Sequence, residues 1–128
     1  MTTIDDAIER HRRAVANYSA VIGKQAELER SIPWERRQSI AMRTDPNDDP
    51  RWQDCCNLYQ AVLAELNRSA DDLCMVRPSS IADLVALCEY VRGRIEEWEL
   101  PNDFHKEFVT SLPDMLKGLD STPIAPGE

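Results

Sequence analysis

The residues of this chain whose types could carry chemistry are two histidines, four cysteines and a few carboxylates spaced one helical turn apart. An imidazole on an apolar seam acts as metal ligand or general base only where partners converge on it. A di-metal site in a helical bundle uses Glu-x-x-His, yet Ile8 stands three residues before His11 and Asn102 three before His105. The pattern His-Glu-x-x-His is missing too. His11 therefore reads as the polar member of an apolar seam, forming an interhelical hydrogen bond whose titration would loosen the fold at low pH.

The carboxylate pairs Asp6/Glu9 and Glu96/Glu99 have the spacing with which facing helices hold Mg²⁺ over a pyrophosphate. That chemistry needs the two pairs to converge, and they lie at opposite ends of the chain. Near a helix start the dipole already accounts for Asp6 and Glu9. Cys55, Cys56, Cys74 and Cys88 contain no Cys-x-x-Cys pair, so a structural zinc site lacks its local chelate. They read as reduced thiols packed as small hydrophobes, with Asp71 and Asp72 set to raise the pKa of Cys74. There is no Gly-x-Ser-x-Gly elbow and no Gly-rich phosphate loop. The sequence thus names no catalytic, cofactor-binding or metal-ligating residue. What remains is a set of interface candidates, Trp34, Ile40 and Met42, in the least regular part of the chain.

The elements that position these residues are helical. Thr3 and Asp6 have capping-box-like spacing, and Ile4, Ile8, His11, Val15, Tyr18, Ile22 and Gln25 follow at steps of four and three, predicting a helix to about Arg30. Pro33, Pro46 and Pro50 then break the pattern among Asp45, Asn47, Asp48 and Asp49, with a short helix expected from Pro33 to Met42. Asp49 caps a second helix with Pro50 at its first position, and Trp52, Cys55, Tyr59, Val62 or Leu63, Leu66, Ala70 and Leu73 form its seam up to Pro78. Ser80 and Asp83 open a third helix, with a seam of Ile81, Leu84, Cys88, Val91, Ile95 and Trp98, ending at Pro101. Asn102 or Asp103 caps a fourth. There Phe104, Phe108, Leu112, Met115 or Leu116, and Leu119 keep phase through Pro113, predicting a kink or a break into two.

The runs Asp49-Pro50-Arg51-Trp52, Pro78-Ser79-Ser80-Ile81-Ala82 and Ala7-Ile8-Glu9-Arg10-His11-Arg12 resemble a group of short, functionally uncharacterised alphaproteobacterial proteins. The likeness covers the chain to about Leu119. It implies a bacterial, cytoplasmic, helical protein and carries over no activity.

Length, charge and patterning bound the rest. The 128 residues carry a formal net charge of −8, of which residues 79–128 supply −6. Such a surface repels phosphate backbones and anionic lipid, so neither nucleic acid nor membrane is expected as partner. No apolar run approaches the ~20 residues of a membrane span. The expectation is an all-α fold of four main helices in an up-down bundle over residues 1–119, a flexible tail at 120–128, and a cytoplasmic location. Narrow seams on long helices leave flanks to cover, so the expected function is a non-enzymatic interaction module, a homodimer or an adaptor. The rivals are a small-ligand or metal-dependent enzyme in the bundle core and a DNA-associated regulator.

Overall fold

The computed structural model describes residues 2–40, 43–97, 100–101 and 103–120. It is all-α: four helices, α1 (Ile4–Ser31), α2 (Pro50–Met75), α3 (Ile81–Glu96) and α4 (Phe104–Asp120), and no strand among the described residues. None of these helices is long and apolar enough to cross a membrane. Their residues fall into two compact units, one made of 1–12 and 67–128 and the other of Arg13–Leu66.

Three helix starts follow from local chemistry. Thr3 and Asp6 bond reciprocally, Asp6 N donating to Thr3 Oγ1 at 3.1 Å and Thr3 N to Asp6 Oδ2 at 3.4 Å. This reciprocal pair satisfies donors that the first turn leaves open. Asp49 Oδ1 accepts from Arg51 N at 2.9 Å, with Pro50 as first residue of α2. Ser80 Oγ accepts from Asp83 N at 3.1 Å, while the Asp83 carboxylate turns back to Ser79.

The buried stripe of α1 differs from the expected seam. Ile4, Ala7, His11, Ala14, Val21 and Leu28 are buried, with Tyr18 and Gln25 half-buried between them and Ile32 just past the end. These positions alternate steps of three and four throughout, a heptad pattern. Ile8 is buried beside it, but Val15 is only half-buried and Ile22 is exposed, its place taken by Val21. The two alanines escape a reading weighted to large side chains, yet small residues at the seam let a neighbouring backbone approach.

Among the described residues of the unit of 1–12 and 67–128, fourteen apolar ones form one buried cluster, with Leu73, Leu87 and Met115 fully enclosed. Met115 faces inward and Leu116 outward, and α4 runs through Pro113 without a break. Helix α3 ends at Glu96, short of the expected Pro101, and buries Leu84, Leu87, Tyr90 and Val91. Ile81 and Ile95, placed on the expected seam, are exposed. Trp98, also placed there, and the tail after Asp120 lie outside the described residues.

The unit Arg13–Leu66 holds the rest of α1, the first part of α2 and the connection between them. Its buried cluster is smaller: Val21, Leu28, Ile32, Trp52 and Cys55, with Cys56, Tyr59 and Val62 packed against it. Tyr18 meets Tyr59 at 5.8 Å between ring centres. Their hydrogen bond comes first, and burial second, among the causes that raise the pKa of Tyr18.

Candidate docking groove

The connection between α1 and α2 is knit by one carboxylate. The expected helix from Pro33 to Met42 is reduced to a single 3₁₀ turn, Trp34–Arg36. The amides that would have continued it point elsewhere: Gln38 N donates to Asp48 Oδ1 at 2.8 Å and Ser39 N to Asp48 Oδ2. Side-chain acceptors of this kind compete with the helical ladder. Burial alone would push the Asp48 carboxyl up, but bonds from the Ser39 side chain and the Gln38 and Ser39 amides, with the charge of Arg36, hold it below its usual value.

Ser39 passes this order on to α2. Its carbonyl accepts from Trp52 Nε1 at 3.1 Å and from the Cys56 thiol at 3.6 Å, and its Oγ accepts from Asp45 N at 2.9 Å. Gln53 Nε2 donates to Asp45 O at 2.7 Å. The Arg37 guanidinium lies 5.7 Å from the ring of Trp34 and 5.6 Å from that of Trp52, and its Nε donates to Ile32 O at 2.8 Å. A buried indole is thereby tied at both its ring face and its N–H.

Beside this connection, between α1 and α2, opens a groove of about 390 Å³. Ile22, Ile40, Trp52, Cys55 and Tyr59 supply its apolar lining, and Gln25, Ser39 and Gln60 its hydrogen-bonding groups. Among the described residues, no charged side chain lines it. Ile40 is 61% exposed and Ile22 40% exposed.

Of the interface candidates, Ile40 lines this groove, whereas Trp34, 64% exposed, does not line it and shares the Arg37 guanidinium with Trp52. Met42 lies outside the described residues. The sequence missed Asp48, Ser39 and Ile22. An Asp-rich stretch between prolines announces a turn, but nothing in it says which carboxylate is buried.

His11 sits in the other unit, fully buried, with Nδ1 2.6 Å from the Tyr90 hydroxyl on α3. This is the interhelical hydrogen bond expected of it. Guanidinium groups of Arg12 and Arg94 lie 5.3 and 5.4 Å from the Tyr90 ring centre. Arg10 pairs with Asp72 nearby. The thiols are free, and burial raises the pKa of each: Cys74 reaches about 11, with Glu107 and Asp71 adding to the effect. Such thiols are poor nucleophiles at neutral pH. Among the described residues no group of three His, Cys, Asp or Glu is placed to hold a metal ion. Glu99 of the pair Glu96/Glu99 lies outside them.

Comparison of the chain with family models, with curated proteins and with solved structures finds no match.

Proposed function

We propose that this protein is a non-enzymatic protein–protein interaction module that docks its partner in the groove between α1 and α2. The observation that carries the reading is the exposure of Ile22 and Ile40 on an uncharged groove whose shape is held by buried bonds from Asp48, Ser39 and Trp52. An apolar surface fixed by its own hydrogen-bond network loses little entropy on binding, and such preorganisation favours recognition. Free thiols suit a reducing compartment, and the reading sets the protein in the cytoplasm.

The test is affinity capture from the native lysate with the wild-type chain and with Ile40→Asp, whose exposed position should spare the fold. A partner recovered in near-stoichiometric amount by the first and lost with the second is the expected outcome. Equal recovery by both counts against the groove. Light scattering on the same samples shows whether the partner is a second copy of the chain.

A further inference from the structure

We draw no further inference here: the strongest candidate, the apolar groove between α1 and α2 beside the connection that joins them, belongs to the site already described, and nothing in the structure shows what covers it.

Discussion

Asp48 shows how far a single carboxylate can organise a segment that has almost no regular structure. It is buried, and by accepting the amides of Gln38 and Ser39 it fixes the carbonyl to which Trp52 and Cys56 donate. Its folded-state pKa lies below the ordinary carboxylate value. Protonation is therefore harder in the folded chain, and the stabilisation is full above the ordinary range near 4. It is lost as pH falls through the lower, folded-state value. Melting curves of the wild type and Asp48→Asn should differ clearly at pH 7, with the wild type higher, and converge as the pH drops below about 4. Identical melting at pH 7 would show that the carboxylate's charge does not hold the segment.

Among the elements, α4 poses the sharpest question. Proline removes an intrahelical donor and crowds the carbonyl four residues back, at a cost of about 3 kcal/mol in a helix interior. Yet α4 continues through Pro113. Phe104, Phe108 and Met115 are buried on one face of it, and Leu112 and Leu119 pack against the same core. Ahead of the proline, Thr110 Oγ1 donates to Lys106 O at 2.8 Å and Ser111 Oγ to Phe108 O at 2.7 Å, so hydroxyls bond carbonyls in the preceding turn. Burial of that face thus overrides the local penalty. Replacing the exposed Pro113 by alanine should raise stability by up to about 3 kcal/mol, read from urea unfolding. A loss of stability would mean that the core is fitted to the bend proline imposes.

At the scale of the whole molecule, charge and apolar burial are divided between the two units. Residues 13–66 carry seven Lys/Arg against eight Asp/Glu, and the other unit eight against fifteen. The larger core therefore lies in the strongly acidic unit, and the groove in the nearly neutral one. Leu73 is fully enclosed in the larger core, so Leu73→Ala should cost about 2–5 kcal/mol, the range for deleting a sealed side chain. A loss under about 1 kcal/mol would contradict a sealed core at that position. Native-state hydrogen exchange should be faster in residues 13–66, where fewer apolar side chains are buried, than around Leu73.

What the sequence determined by itself was whatever depends on neighbours along the chain. The caps at Thr3, Asp49 and Ser80, the seam of α2 from Trp52 to Leu73 and the inward face of α4 were all legible, because each follows from spacings within one or two turns. Tertiary structure alone decided which flank of a seam is covered. Val21 rather than Ile22 is buried, Ile81 and Ile95 face water, and Asp48 rather than its acidic neighbours is enclosed and receives Gln38 and Ser39. Residues one position apart on a helix differ by about 100° in direction, and periodicity cannot choose between them when both are apolar. That choice belongs to the side chains arriving from elsewhere in the chain.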